Sequence, residues 1–549
     1  MQLRRTKGDS ASLIGWWSNN GQPPATGVPQ LRAALWRLSQ PCWLLREGES
    51  YAVGAGGIAT IGEAHGTGHP IAAYVPPCRP QSLGDPGFCA THGLKYPYTC
   101  GAMANGIGSA EIVEAMARAG MLAFFGSAGL SLPRVEAAID RIQKNLGDLP
   151  FGFNLIHSPN EPRLEAGVVD LYCQRGIRLV DASAYLNLTL PLIRYRVHGI
   201  HTNREGAVVT PNYVIAKVSR VEVARRFFGP PPEKLLAALV QQGEISHEQA
   251  RMAAAIPVAY DLTAEADSGG HTDNQPFIVL IPTMLALAEE MRAKHGYPLP
   301  LRVGAAGGIS TPTSAAAAFA MGASYIMTGS VNQACVEAGT SQLVREMLCQ
   351  ARQADVTMAP AADMFEMGVK VQVLKRGTMF AMRAAKLYEF YRAHHSLEEL
   401  PPTARSLLEK DYFRAPLDDI WGQTKRFFEE RDPSQIEKAE RDPHYRMALV
   451  FRWYLGRSSA WANAGEASRK IDYQVWCGPA MGAFNEWVQG TFLEQPASRT
   501  VVTVAKNLLV GAAILTRVQN LRVQGVRLPG EIGNVRPMEP EQLDACLSG

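Results

Sequence analysis

The chain has 549 residues, with 54 Lys and Arg against 51 Asp and Glu and a formal net charge of +3. This small basic excess gives no electrostatic reason to expect a nucleic acid or an anionic membrane as partner, since both require a cationic surplus. With 46% hydrophobic and 19% charged residues, the composition is that of a globular protein that can bury a large core.

Sequence patterns argue against several other classes of protein. The nine cysteines are an odd number without a CxxC pair, which argues against a disulfide framework, and no HExxH metal motif occurs. The basic residues Arg4, Arg5 and Lys7 precede no continuous apolar stretch, so no signal peptide is predicted. The longest apolar runs, such as Leu508–Leu515, are far shorter than the ~20 residues of a membrane helix. We therefore expect a cytoplasmic protein.

The first segment, residues 1–85, is rich in Gly and Pro and differs from the rest of the chain. It contains short strand-like runs, Cys42–Leu45 and Tyr51–Val53, and ends in a turn-rich stretch. We predict a small β-rich N-terminal domain without a catalytic role.

From about residue 96, short apolar runs alternate with amphipathic helical stretches. Such runs between helices predict parallel strands that are buried on both faces. Eight of them within about 235 residues match a (β/α)8 TIM barrel, which we assign to residues 86–340, with a doubly wound sheet as the alternative. The predicted strands are Tyr98–Met103, Leu122–Phe125, Gly152–Ile156, Arg178–Asp181, part of Val208–Val218, Val258–Thr263, Leu301–Val303 and Tyr325–Thr328.

After residue 340 the composition changes to charged helical sequence. Residues 375–446 carry 14 basic and 13 acidic side chains, and Thr378–His394 and Leu417–Glu430 have the pattern of amphipathic helices. We predict a helical insertion over residues 341–475. The last segment, 476–549, contains the apolar helix Val501–Val523, which we expect to pack on the barrel.

In a TIM barrel, ligands bind where the strands end. In the loop after the first predicted strand, Gly106-Ile107-Gly108 is similar to the start of a dinucleotide-binding fingerprint. However, Glu111 occupies the position of the third glycine in that fingerprint. The next strand ends at Phe125 without the carboxylate that a Rossmann site requires. Ala102 and Met103 instead form a small-residue loop on which a flat cofactor ring can lie, although a plain tight turn is the alternative.

Two polar residues lie at strand ends or inside strands. Asn154 can offer both a donor and an acceptor to a heterocycle edge, or it can simply satisfy a loop backbone. Lys217 lies inside an apolar strand, where a charge is costly unless an anion pairs with it. A positive charge there would stabilise an anionic ligand such as a reduced flavin.

The loop after the sixth predicted strand contains Asp267, Ser268, Gly269, Gly270 and His271. Its two glycines let the backbone approach a ligand closely, and they hold the histidine at the barrel mouth. An imidazole there can donate a hydrogen bond to a carbonyl oxygen or deliver a proton. The alternative is a histidine that only stabilises the loop.

The loops after the seventh and eighth predicted strands contain Gly307, Gly308, Gly329 and Ser330. Barrels commonly bind phosphate at this position, through loop N–H groups. This spacing predicts a cofactor that carries phosphate.

Taken together, the chain resembles the nitronate monooxygenase and FabK-like group of FMN barrels, and within it the PfaD family. These are trans-acting enoyl reductases of polyunsaturated fatty acid synthases and of polyketide synthases that lack built-in acyltransferases. The group-level resemblance is carried by the site residues above. The family-level motifs are Leu94–Tyr98, Phe365–Leu374, Gly377–Phe380 and Asp472–Phe484.

The resemblance implies FMN as cofactor, NADPH as hydride donor and an enoyl thioester on an acyl carrier protein as substrate. It places the FMN phosphate on Gly307, Gly308, Gly329 and Ser330, and His271 as the acid or electrophile. The remaining implied FMN contacts are Ala102, Met103, Asn154, Lys217, Asp267, Gly269 and Gly270.

One residue departs from the pattern of the wider group, which usually has Glu where this chain has Asp267. We also expect a homodimer, and an acidic carrier protein would bind the basic faces of residues 375–446. Two alternatives remain: a nitronate monooxygenase-type oxidase that uses O2, and a non-catalytic synthase subunit.

Overall fold

The computed structural model describes residues 13–19, 21, 23–62, 68–157, 159 and 161–548. Arg4, Arg5 and Lys7, which entered the signal-peptide prediction, lie outside these residues. The described chain forms a closed parallel barrel, an antiparallel sheet before it and a mainly helical insertion after the eighth barrel strand.

The barrel is closed by eight strands, each paired in parallel with its neighbours in chain order. This topology confirms the predicted (β/α)8 barrel and excludes the doubly wound sheet. The strands are Tyr98–Cys100, Leu122–Phe125, Gly152–Ile156, Leu179–Ser183, Tyr213–Val218, Asp261–Glu265, Arg302–Ala306 and Ile326–Thr328. The helices outside them are Ala110–Arg118, Leu132–Leu146, Pro162–Gln174, Leu190–Val197, Val221–Phe228, Glu233–Gln241, His247–Ala253, Phe277–His295 and Pro312–Ala320.

The sixth strand differs most from its predicted bounds. Val258 and Ala259 do not pair in the barrel, because their N–H groups donate to the carbonyls of Gly229 and Phe227. The strand therefore begins at Asp261, and it places Glu265 inside the barrel wall rather than in the following loop.

The helix Pro86–His92 closes the end of the barrel at which the strands begin. Phe88 stacks on Tyr325 with the ring centroids 4.0 Å apart, and His92 Nε2 lies 2.8 Å from Asp261 Oδ2. Asp261 also accepts a hydrogen bond from Arg302. Side chains therefore fill this end, and the opposite end, where the strands finish, is the candidate ligand-binding end.

The N-terminal segment forms a six-stranded antiparallel sheet and one helix, Val28–Trp36. Both predicted strand runs lie in it. Its strands are Gly15–Ser18, Ala25–Thr26, Cys42–Glu47, Ser50–Gly54, Ile58–Ile61 and His69–Val75. The sheet packs on Val501–Val523 and its C-terminal flank, where Gln524 Oε1 accepts from Tyr74 N at 3.0 Å.

The insertion starts directly after the eighth barrel strand. Its two strands, Val356–Pro360 and Lys370–Leu374, form a small antiparallel sheet with the barrel segment Gly270–His271. A π-helical turn, Leu408–Phe413, interrupts its helices. The α-helices are Ser330–Gln333, Gln342–Cys349, Phe380–Ala393, Pro402–Leu407, Leu417–Arg431, Ser434–Arg441, Pro443–Ala464 and Ala480–Val488.

The helix Val501–Val523 packs between Pro312–Ala320 and Ala110–Arg118, the helices that follow the seventh and first strands. It therefore fills the position of the eighth barrel helix. A Cβ on Gly511 would lie 2.6 Å from Pro312 Cγ, which shows how close the contact is.

The same helix is the one candidate membrane span among the described residues by length and composition, and 72% of its apolar window is buried within the protein. A final helix, Pro540–Ser548, follows. The predicted domain boundaries at residues 85, 340 and 475 stay predictions.

Candidate active site

Three charged side chains meet inside the open end of the barrel, on the fourth, fifth and sixth strands. Lys217 Nζ lies 3.5 Å from Glu265 Oε1, with both side chains less than a fifth exposed. Burial alone would lower the pKa of Lys217, but the charges of Glu265 and Asp181 raise it above its ordinary value. The sequence predicted that an anion must pair with the buried Lys217, and the structure provides two carboxylates, Glu265 and Asp181.

Asp181 is one of two functional residues that the sequence did not reveal. It is fully buried, its Oδ2 accepts a 3.4 Å hydrogen bond from Ala102 N, and its Oδ1 has no hydrogen-bond partner in the described part of the chain. Burial raises its pKa to about 6, with Lys217 acting against and Glu265 adding to the shift. The detectable signal was the one used for Lys217, a charged residue inside an apolar strand.

His271 lies at the rim and faces a carboxylate that the insertion contributes. Its Nε2 is 3.2 Å from Asp363 Oδ1, and each of the two side chains is about one-third exposed. Asp363 lies in the segment between the two insertion strands, 92 residues after His271 in the sequence. A single sequence carries no signal for such a long-range pair.

Asn154 is buried, and its amide nitrogen is fully used by the neighbouring strand. Nδ2 donates to Asp181 O at 3.0 Å and to Ser183 Oγ at 2.8 Å. Asn154 therefore links the third strand to the fourth through hydrogen bonds, which agrees with the alternative prediction that this residue has a structural role. Its contact with a heterocycle stays a prediction.

The loops after the first and second strands are in close contact. Met103 O accepts from Gly108 N at 2.9 Å, and a Cβ on Gly126 would overlap Met103 O at 1.7 Å. Asn105 Nδ2 donates to Ser459 Oγ of the insertion at 2.9 Å. Ala102 and Met103 are thus held at the barrel mouth, beside the insertion.

The glycines after the sixth and seventh strands let three backbone segments come together. Gly307 has φ +83°, and a Cβ there would lie 2.7 Å from the Ala266 carbonyl. A Cβ on Gly269 would lie 3.0 Å from the backbone of Cys477, so the C-terminal segment covers this loop. Gly270 also has a positive φ, +84°.

Two glycines instead border open space. An added Cβ on Gly308 or Gly329 would meet no atom within 4 Å, although Gly308 has φ +70°. Next to them, Ser330 Oγ accepts from Gly478 N at 3.2 Å, which leaves its hydroxyl hydrogen available to a ligand. This space has the backbone-lined character that a phosphate group needs.

Asp267 has a role inside its own loop, because its Oδ1 accepts a 2.7 Å hydrogen bond from Asn274 Nδ2. Its place as a cofactor contact stays a prediction.

The predicted basic faces of the insertion are largely neutralised. Of the 14 basic side chains in residues 375–446, eight form ion pairs with carboxylates. Lys375, Arg392, Lys410, Arg426, Lys438 and Arg441 form none within the described residues.

The described residues contain no cluster of three His, Cys, Asp or Glu side chains that could hold a metal ion. The nine cysteines are all free thiols, as the sequence predicted.

Comparison with known proteins gives two family matches. Residues 88–400 match the nitronate monooxygenase family, and residues 394–473 match the inserted helical domain of [acyl-carrier-protein] S-malonyltransferase.

Among individual relatives, a polyunsaturated fatty acid synthase subunit of Thraustochytrium sp. is 45% identical over 91% of this chain. Polyketide biosynthesis protein PksE of Bacillus subtilis is 45% identical over 79% of it. The chain spans only 34% of the first protein and 56% of the second. Among solved structures, the enoyl reductase domain of MlnA from the macrolactin biosynthesis cluster of Bacillus amyloliquefaciens is 41% identical. The match covers 81% of this chain and 99% of that domain, with a TM-score of 0.76.

Proposed function

The chain belongs to the nitronate monooxygenase family, and from this premise we propose that it is an FMN-dependent, NADPH-consuming enoyl reductase. Its proposed substrates are enoyl thioesters on the acyl carrier protein of a polyunsaturated fatty acid or polyketide synthase, on which it acts in trans. The observation that carries this proposal is the 41% identity across almost the whole enoyl reductase domain of MlnA.

The residues at the open end fit FMN. The open space beside Gly308 and Gly329 suits a phosphate group, and a single Cβ on either residue would enter it. Gly307 and Ser330, the neighbours of these glycines in the same two loops, would also contact the phosphate. Ala102, Met103 and Asn154 would line the ring. When bound, FMN would supply the transfer of a hydride from NADPH to the β-carbon of the enoyl thioester.

The three charged side chains inside the open end, Asp181, Lys217 and Glu265, would determine the electrostatic potential at the cofactor. Lys217 keeps its proton because two carboxylates raise its pKa, so it can hold the polar edge of the ring. The unpaired Asp181 Oδ1 is a buried polar atom that still needs a partner, as expected beside a ligand. Asp267, Gly269 and Gly270 would close the loop over this site.

His271 is the proposed proton donor. Burial lowers its pKa, but Asp363 and Glu265 more than offset this effect, so the imidazole holds a proton more readily than a free histidine. A protonated ring at the rim can stabilise the developing enolate oxygen or protonate the α-carbon.

The insertion is the proposed contact for the carrier protein. Its match to the inserted helical domain of an acyl-carrier-protein transferase supports this role. The six basic residues that form no ion pair within the described part of the chain are where an acidic carrier would bind. We also propose a homodimer.

Anaerobic mixing of the purified FMN-loaded protein with NADPH tests the proposal. We expect rapid bleaching of the flavin absorbance, and reoxidation on adding a carrier-bound enoyl thioester. His271→Ala should retain FMN and bleach normally but reduce the enoyl substrate at least ~100-fold more slowly.

Three other outcomes would contradict the proposal. Indifference to NADPH, with turnover in O2, would indicate the oxidase. A protein that cannot be loaded with FMN would indicate a non-catalytic subunit. Unchanged turnover in His271→Ala would remove this residue from the mechanism.

A further inference from the structure

The barrel and the insertion share a small sheet at the rim of the site. Gly270 and His271 pair in antiparallel register with Gln372 and Val371 of the insertion strand Lys370–Leu374. This pairing fixes the backbone that carries the proposed proton donor. The insertion therefore forms part of the wall beside the reaction, in addition to any role in binding substrate.

Asp363 lies in the segment that links the two insertion strands, and packing fixes the base of this segment. Ala361 N donates to Val369 O at 2.9 Å. Phe365 is fully buried, with its ring edge-on to Tyr388 at 5.4 Å between centroids. The position of the carboxylate is thus set by the aromatic core of the insertion.

From this geometry we propose that Asp363 is a positioning residue that holds His271 through Nε2, so that Nδ1 carries the proton that is transferred. Nε2 is 3.2 Å from Asp363 Oδ1, and Nδ1 makes no hydrogen bond within the described residues. The proposal rests on the proposed function for its chemical meaning, but the His271–Asp363 pair itself is independent of the substrate.

Three charged groups act on the His271 ring. Burial lowers its pKa; Asp363, the strongest of the three, and Glu265 raise it, and Lys217 lowers it, with a net increase. Burial likewise acts to raise the pKa of Asp363, but His271 first, then a hydrogen bond from the residue's own backbone, and then Arg452 bring it below the ordinary value. The pair thus favours an imidazolium beside a carboxylate.

The proton step balances with this arrangement. The Nδ1–H bond breaks as a C–H bond forms at the α-carbon of the substrate, while the hydride from NADPH reaches the β-carbon. His271 becomes a neutral imidazole that keeps its Nε2 proton on Asp363. A proton from water then restores Nδ1.

The test compares wild type with Asp363→Asn in the FMN-loaded protein. Diethyl pyrocarbonate reacts with the neutral form of a histidine and not with its imidazolium. The rate at which it modifies His271 is followed by peptide mass mapping at a series of pH values. The pH dependence of this rate gives the titration midpoint of His271 without an activity assay. We expect a lower midpoint in Asp363→Asn, because the largest raising charge is removed, and a midpoint near wild type in Asp363→Glu. The matched control is Asp355→Asn, which removes a carboxylate paired with Arg376 at the far end of the same sheet.

The same shift should appear in the alkaline limb of the pH profile for single-turnover enoyl reduction, while flavin bleaching by NADPH stays unchanged. Asp363→Ser is the second neutral variant if Asp363→Asn folds poorly. Equal midpoints in wild type and the neutral variants would overturn the proposal. A shifted midpoint in a protein that reduces no enoyl thioester would leave the pair standing and remove the proposed function.

Discussion

The two ends of the barrel interior each contain a buried acid–base cluster, but they are satisfied to different degrees. At the closed end, Asp261 accepts from His92 at 2.8 Å and from Arg302 at 3.1 Å. At the open end, Asp181 has one long hydrogen bond and an oxygen without a partner within the described chain.

The pKa shifts of the two carboxyls have opposite signs. Burial acts to raise the pKa of Asp261, but His92 and Arg302 bring it below the ordinary value. For Asp181 burial prevails and the pKa rises to about 6. The closed cluster therefore stabilises the fold, whereas the open cluster is costly to the free protein and is expected where a ligand completes it.

The largest effect is expected at the closed end. Asp261→Asn leaves the Arg302 charge buried without its carboxylate, so we expect a loss of about 3–5 kcal/mol in the free energy of unfolding. Urea denaturation followed by tryptophan fluorescence measures it, with Asp355→Asn as the control, because this carboxylate is partly exposed and lies outside both clusters. The FMN content per folded molecule of Asp261→Asn should equal that of wild type. A lower FMN content would mean that the cluster at the closed end influences cofactor binding at the open end.

A smaller effect of opposite sign is expected at the open end. Since folding raises the pKa of Asp181, the folded protein resists ionising it, and wild type loses stability as pH rises from about 4 to about 6. In the FMN-free protein, Asp181→Asn should therefore be more stable than wild type above pH 7, by up to about 3 kcal/mol.

The difference between Asp181→Asn and wild type should disappear below about pH 4, and urea midpoints measured across this pH range test it. A variant that is less stable than wild type at pH 8 would show that Asp181 is a structural partner of Lys217.

The same contrast explains what the sequence could predict. All eight barrel strands were predicted, because buried parallel strands appear as continuous apolar runs between helices. The resemblance to the PfaD family within the nitronate monooxygenase and FabK-like group is confirmed by the relatives found. Lys217 was recognised because a charge interrupts such a run.

The missed residues were those whose meaning depends on distant neighbours. Asp181 ended a predicted strand and needed Lys217 and Glu265 beside it to become informative. Asp363 lies 92 residues from its partner His271, and only the folding of the insertion onto the rim brings them together. Likewise, several basic side chains of the insertion looked free in sequence because their acidic partners are distant in the chain, as in the pairs Arg383–Asp472 and Arg431–Glu161.

The smallest effect on stability is expected at a glycine of the open end. Gly329 has no neighbour within 4 Å of an added Cβ, but its φ of −131° and ψ of −75° are neither helical nor extended, so Gly329→Ala should lower the free energy of unfolding by about 1 kcal/mol. Its methyl group enters the proposed phosphate space, so FMN affinity should fall about tenfold, or about 1.4 kcal/mol, measured by fluorescence titration of the FMN-free protein.

Gly304 is the matched control, because a Cβ there would lie 2.2 Å from the Tyr325 ring in the filled half of the barrel. Gly304→Ala should therefore cost about 1–3 kcal/mol in stability through overpacking, with little change in FMN affinity for the folded fraction. An unchanged affinity in Gly329→Ala would mean that the open space beside this glycine is not where the phosphate binds, and the phosphate assignment would then have to move to Gly308 and its loop.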